Sequence, residues 1–169
     1  MAVRAPLRDE LSLLQAIGVA AGQRFAEVGL DTVADDPPQE VAALERRRAA
    51  GRAWVSTDRE GQPVGFALAD VVDGAAHLEE LSVIPELNGR GHGTALLRAV
   101  EGWARKKGFR SVTLTTFREV PFNRPWYEKR GYRVLEEGEW TPGLAQRRAH
   151  EAEAGLDPAL RVVMAKELA

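Results

Sequence analysis

The chain of 169 residues contains no cysteine. That absence excludes disulfide scaffolds, thiolate metal sites and cysteine nucleophiles. Histidine is scarce as well: His77, His92 and His150 are the three present, and their separation matches no metal-ligand spacing. No metal site is expected. No apolar run approaches the ~20 residues that a membrane-spanning helix needs. The charged opening MAVRAPLRDELSLLQ lacks the apolar segment of an export signal, so the expectation is a cytoplasmic protein with no membrane partner. Neither charge is in excess, since Lys and Arg number 23 against 25 Asp and Glu. The net charge of -2 gives no global electrostatic reason to bind nucleic acid, and a small molecule is the expected partner.

What is present describes an ordinary globular chain. A composition of 44% hydrophobic and 28% charged residues argues against disorder and fibrous structure, and the length suits one domain over residues 1–169. AVRAPL reads as a first strand. DELSLLQAIGVAAGQRFAEVG then starts with an acidic cap and repeats apolar residues at helical spacing, with Leu11, Leu14, Ile17, Ala21 and Phe25 on one face. Pro37-Pro38 stops that region, and a further helix from Val41 ends in Arg46, Arg47, Arg48 and Gly51. The arginine run reads as a solvated helix end favoured by the macrodipole.

RAWVSTD, VGFALADVVDG and AAHLEELSVIP, joined by Gly, Asp and Pro turns, predict an antiparallel meander. GTALLRAVEGWARKKG is the clearest helix, its stripe formed by Leu96, Leu97, Val100, Trp103 and Ala104, and its stop by Lys106, Lys107 and Gly108. SVTLTTF is a β-branched, buried strand, so strand, crossover helix and strand form a parallel pair. PFNRPWYEKRGY predicts a short helix closed by Gly131, and YRVLEEGEW a strand. TPGLAQRRAHEAEAGLDPAL reads as a long polar connection with some helix, and RVVMAKELA as the last strand. The fold class is α+β, a mixed and mostly antiparallel twisted sheet of about six to seven strands flanked by helices.

Between the meander and the long helix lies VIPELNGRGHGTALL, where Pro85, Gly89, Gly91 and Gly93 bare the backbone. A glycine turn running into a helix points several N–H groups at one spot, where the helix N-terminus adds roughly half a positive charge; an anion suits it. The spacing is not that of a nucleotide P-loop, because no Lys follows Gly93, nor that of a dinucleotide fingerprint, because glycines 89, 91 and 93 alternate.

LEELSVIPELNGRGHGTALLRAVEGWARKKGF followed by NRPWYEKRGY resembles the GNAT superfamily of acyl-CoA-dependent N-acetyltransferases. The family signature, Gln or Arg, two residues, Gly, one residue, Gly or Ala, is matched by Asn88-Gly89-Arg90-Gly91-His92-Gly93 with Asn88 as a departure. The resemblance is strongest from Trp54 to Leu135, where the elements recur in the family's order. It implies acetyl-CoA as co-substrate, with the coenzyme held by Leu81, Ser82, Val83, Asn88, Gly89, Arg90, Gly91, His92, Gly93, Thr94, Asn123 and Tyr127. The loop would act through backbone N–H groups on the pyrophosphate, and Asn123 on the pantetheine arm, unless Asn123 is instead a helix N-cap.

Acetyl transfer needs a neutral amine, a stabilised oxyanion and a protonated leaving thiolate. By the same resemblance Tyr127 protonates the sulfur, its alternative being a core aromatic beside Trp126 and Tyr132. Glu80, or else Glu79, assists amine deprotonation; alternation along the strand puts Glu80 on a face with Leu78 and Ser82, and Glu79 with His77, Leu81 and Val83. A backbone N–H near Leu81 to Val83 would meet the oxyanion. The acceptor would lie among Gln23 to Asp36, Phe117 to Phe122 and Trp140 to Leu144, where Phe25, Asp31, Asp35 and Asp36 suit a cationic amine. A small-molecule amine is the expected acceptor; a lysine or N-terminus of a protein, and acyl-CoA sensing without catalysis, are the alternatives. Many members of the family are dimers, so a homodimer is compatible with the resemblance.

Overall fold

The computed structural model describes all 169 residues, Met1–Ala169. Seven strands form one sheet in the order β1-β2-β3-β4-β5-β7-β6, with β1 at Ala2–Arg4, β2 at Ala53–Thr57, β3 at Pro63–Val72, β4 at Ala75–Val83, β5 at Ser111–Phe117, β6 at Arg133–Val134 and β7 at Arg161–Glu167. The helices are α1 at Leu11–Gly22, α2 at Asp31–Ala34, α3 at Val41–Ala49, α4 at His92–Lys106, α5 at Arg124–Glu128 and α6 at Pro142–Glu153. Backbone contacts divide the chain into two compact units, Met1–Asp70 with Glu79–Trp103 and Val71–Leu78 with Ala104–Ala169.

In the first unit the apolar stripe of α1, Leu11, Leu14 and Ile17, is buried with Leu44 of α3 and with Val55, Phe66 and Leu68 of the meander. After Gly22 the helix tightens into a 3-10 segment at Gln23–Val28, closed by Gly29 at φ 80. The acidic start of α1 works differently from the expected cap: Glu10 is the N-cap residue without a side-chain cap bond. Its carboxylate instead receives two hydrogen bonds from Arg4, each at 2.8 Å, and one from the Leu7 N–H at 2.7 Å.

The arginine run on α3 is also not a uniformly solvated end. Arg47 makes a bidentate pair with Asp70 of β3, at 2.9 and 3.1 Å, and Arg48 one with Glu45, at 2.6 and 2.8 Å. Burial works against the Arg47 charge, but pairing with Asp70 and the nearby Glu79 and Glu80 outweigh it and raise its pKa.

The second unit holds the parallel step. β4 pairs with β5 at Ala76↔Val112 and His77↔Thr113, near the start of the nine-residue strand β4. β7 then runs antiparallel to β5 from Ser111↔Glu167 to Phe117↔Arg161, and β6 pairs with β7 at only Arg133↔Ala165 and Val134↔Met164. The strand expected over YRVLEEGEW is therefore two residues long, and a 3-10 turn at Glu137–Glu139 follows it. The polar connection after it contains a twelve-residue helix, α6. Its first turn is capped from a distance, because Gly143 N–H donates to Asp73 Oδ2 at 2.6 Å. Asp73 and Gly74 form the β3–β4 turn at φ 50 and 76, the paired positive values that a two-residue hairpin turn requires.

Gly65 on β3 marks the tightest backbone approach to the end of β4. A Cβ there would lie 2.9 Å from the Ser82 carbonyl oxygen and 3.1 Å from Val83 Cγ2. We expect Gly65→Ala to destabilise the protein by about 1–3 kcal/mol, because the clash is with backbone that cannot rotate away. Urea unfolding of the two proteins checks this, and an unchanged midpoint would contradict the close approach.

Candidate active site

β4 leads into the glycine loop through Ile84 and a 3-10 turn at Pro85–Leu87, in which Pro85 occupies a first-turn position. Asn88 is extended, at φ -61 and ψ 141. Gly89 and Gly91 adopt φ 78 and 91, values a side chain disfavours, and no heavy atom stands within 4 Å of a Cβ built on Gly89. The Gly91 carbonyl accepts from Ala95 N–H at 3.0 Å, so Gly91 opens α4. Gly89, Arg90 and Gly91 are exposed. A first helical turn cannot satisfy its own N–H groups internally, and here it adjoins a bare turn.

His92 does not extend into that loop. Its ring is buried, and Nδ1 is in hydrogen-bond contact with Ser56 Oγ of β2. Burial lowers its pKa below the usual 6.5, the N-terminal ammonium adds to this and Asp58 opposes it. His77 is likewise buried on β4, with Nδ1 2.8 Å from Thr113 Oγ1, and His150 is exposed on α6. All three histidines thus have structural or surface positions.

The two candidate carboxylates, Glu79 and Glu80, are both half-buried near the middle of β4. Glu80 accepts from Gln39 Nε2 at 3.0 Å through Oε1 and from Ser82 Oγ at 3.0 Å through Oε2. The Ser82 bond confirms that Glu80 and Ser82 share a face, as alternation along a regular strand requires. α1 covers this face at Gly18, where a Cβ would stand 3.3 Å from Glu80 Oε2. A glycine inside a helix costs about 1 kcal/mol relative to alanine; here it leaves room for the carboxylate.

Tyr127 and Asn123 belong to the second unit. Tyr127 is 7% exposed and packs edge-on against Trp126, at 5.0 Å between ring centroids, and Tyr132, at 5.7 Å. Burial pushes its phenol pKa well up, with Arg130 and Arg161 opposing, so the group keeps its proton throughout the neutral range. Asn123 stands at the N-cap position of α5 but makes no side-chain cap bond. Its Nδ2 donates to the Phe122 carbonyl at 3.2 Å, while its Oδ1 is buried with no partner. Capping is thus not what this side chain does, and a buried acceptor stays open.

Of the segments expected around the acceptor, Trp140 to Leu144 is part of a core. Trp140 packs against the cluster of Val72, Leu135, Leu144, Val163 and Ala165, and Leu144 is 2% exposed. Asp31, Asp35 and Asp36 are exposed, and Phe25 is half-buried.

The description Acetyltransferase (GNAT) family matches residues 22–132, a span that runs from the end of α1 to Tyr132 and includes the glycine loop. The chain belongs to this family. Among curated proteins, the aminoglycoside N(6')-acetyltransferase type 1 of Stenotrophomonas maltophilia is 34% identical over 102 residues, 55% of this chain and 66% of that enzyme's length. Among solved structures, the PaiA N-acetyltransferase of Thermoplasma acidophilum in complex with coenzyme A superposes with a TM-score of 0.71 at 15% identity, over 99% of this chain and 98% of that one. The N-acetylglutamate synthase of Neisseria gonorrhoeae, complexed with coenzyme A and N-acetyl-glutamate, superposes with a TM-score of 0.73 at 17% identity; the match covers 99% of this chain and 35% of that one. At these identities the property shared with the solved structures is the fold. No helix of the GNAT chain is long and apolar enough to cross a membrane.

His92 gives this region a pH signature. Its folded-state pKa lies below that of the unfolded chain, so from about pH 6.5 downward the unfolded state binds more protons and stability falls with pH; above that window the effect is flat. His92→Gln should remove this slope. Thermal melts at pH 7.5 and 5.5 will show a smaller loss on acidification in the variant, and equal losses would contradict the buried neutral imidazole.

Proposed function

We propose that the chain is an acetyl-CoA-dependent N-acetyltransferase acting on a small-molecule primary amine. The observation that carries the reading is the exposed turn of Gly89 and Gly91, in left-handed conformations at the start of a fifteen-residue helix, within the span matched by the family. A diphosphate suits this turn, because it presents backbone N–H groups and the positive end of a helix. Two further features agree with an acyl-CoA substrate. The buried Oδ1 of Asn123 lacks a donor, which an amide N–H of a pantetheine arm would supply. The parallel pairing of β4 with β5 involves Ala76 and His77, and the N–H groups of Leu81 and Val83, on the opposite edge from the Ile84 N–H that donates to Val64 of β3, lie beyond those pairs, suited to the same arm and to an oxyanion.

In this reading Glu80 takes a proton from the acceptor ammonium. The freed nitrogen attacks the thioester carbonyl carbon, the C–S bond breaks, and Tyr127 protonates the departing sulfur. Tyr127 then recovers the proton that the nitrogen sheds as the amide forms. A phenol kept protonated by burial suits the donor's part. Glu79 is the alternative carboxylate; the reading takes Glu80, whose two oxygens are oriented by Gln39 and Ser82. A small cationic acceptor is supported by the name of the Stenotrophomonas relative and by the exposed carboxylates of Asp31, Asp35 and Asp36.

The direct test follows thiol release from acetyl-CoA across a panel of 6'-amino aminoglycosides, polyamines, amino acids and lysine-bearing peptides. Release with a small amine supports the proposal, and release with peptides alone overturns its acceptor class. Tyr127→Phe should lower kcat by about 10²-fold with little change in acetyl-CoA affinity, as loss of a general acid does; equal turnover would remove Tyr127 from the mechanism. Gly91→Glu should abolish acetyl-CoA binding through bulk, backbone strain and repulsion, and unchanged affinity would remove the loop from the coenzyme site.

A further inference from the structure

Gln39 lies in the segment between α2 and α3, just after Pro37-Pro38, and every polar atom of its side chain is used. Arg47 Nη1 donates to Gln39 Oε1 at 2.9 Å, and Gln39 Nε2 donates to Glu80 Oε1 at 3.0 Å. Its backbone is held too, because Gln15 Nε2 of α1 donates to the Gln39 carbonyl at 2.9 Å. Arg47 is fixed by its bidentate pair with Asp70, which Arg52 also reaches at 2.7 Å.

This chain of contacts has a direction set by chemistry. A guanidinium has only donors, so the amide oxygen of Gln39 must face Arg47, and the NH₂ group must then face Glu80. The amide cannot flip without setting donor against donor at one end and acceptor against acceptor at the other. We infer that Gln39 is a positioning residue for acetyl transfer: it holds the Glu80 carboxylate in one rotamer and relays the Arg47–Asp70 pair to it. The inference rests on Glu80 being the base of the proposed reaction.

The charged groups around Glu80 are Arg47 from α3, its partner Asp70 from β3 and the neighbouring Glu79 on β4; α1 presents the uncharged Gly18. Substitution of Gln39 leaves all of them in place. In Gln39→Leu the donor to the carboxylate is lost. A hydrogen bond to a charged group, weakened by partial exposure, corresponds to about a tenfold change in the population of the held rotamer. In Gln39→Glu the contact with Arg47 is kept and the shape is nearly unchanged, but a carboxylate replaces the donor that faced Glu80. That change sets one carboxylate against another and should drive the Glu80 side chain further from its rotamer.

The test combines two readouts on wild type, Gln39→Leu and Gln39→Glu: the separate kcat and KM values with the acceptor amine found by thiol release, and the carbon-13 chemical shift of the Glu80 carboxyl at one fixed pH, assigned by its loss in Glu80→Gln. We expect kcat to fall about tenfold in Gln39→Leu and further in Gln39→Glu with the KM for acetyl-CoA unchanged, and the Glu80 carboxyl resonance to move in both variants. Both variants should melt cooperatively. A Glu80 resonance that stays in place in both variants overturns the role of Gln39 and leaves the proposed reaction untouched. A resonance that moves while kcat does not would remove Glu80 from the reaction, and the positioning role with it.

Discussion

A carboxylate drawn partly out of water has to find hydrogen-bond donors in the protein, and much of the first unit is arranged to meet that requirement at Glu80. One oxygen is met by Gln39, the other by Ser82. Helix α1 can lie over the strand because position 18 has no side chain, and Gln15 of the same helix steadies the segment that carries Gln39. Behind Gln39 stands Arg47, whose charge is in turn compensated by Asp70. A base in an amine acetyltransferase must be oriented and must remain able to take a proton. In the proposed reaction Glu80 has that part, and a carboxylate with both oxygens engaged is oriented for it.

The proposed phosphate site depends on a different constraint. The chain must reverse from strand β4 into helix α4 while exposing N–H groups, and left-handed residues at Gly89 and Gly91 achieve this with no side chain in the way. The same economy of side chains recurs at Gly65, where β3 comes against the end of β4 too closely for a Cβ. The region proposed for catalysis is therefore framed by small residues, and its polar groups are placed by strand and helix geometry.

Where local chemistry decides structure, the sequence was readable. The alternation and turn residues of the meander, the Asp73-Gly74 hairpin, the stripe of α4 and the β-branched run of β5 each led to an element that the structure contains. The family was legible for the same reason, since its motif lies on a strand, turn and helix that are contiguous in sequence. Tertiary choices were not. Arg46, Arg47 and Arg48 are alike in sequence, and packing against β3 selects Arg47 for Asp70. Helix α6 has little apolar periodicity, with Leu144 its buried residue, and it is capped by Asp73 from seventy positions away. The placement of β7 between β5 and β6, and the approach of Gln39 to Glu80 across 41 positions, likewise arise from long-range packing that no local pattern encodes.

The central claim is that the glycine turn at the head of α4 holds an acyl-coenzyme A. Calorimetric titration of the intact protein with acetyl-CoA, compared with dephospho-CoA and with pantetheine alone, tests it most directly. The account predicts saturable binding of acetyl-CoA that survives loss of the 3'-phosphate and collapses when the diphosphate is absent. Pantetheine binding as tightly as acetyl-CoA, or no binding of acetyl-CoA at all, would contradict it.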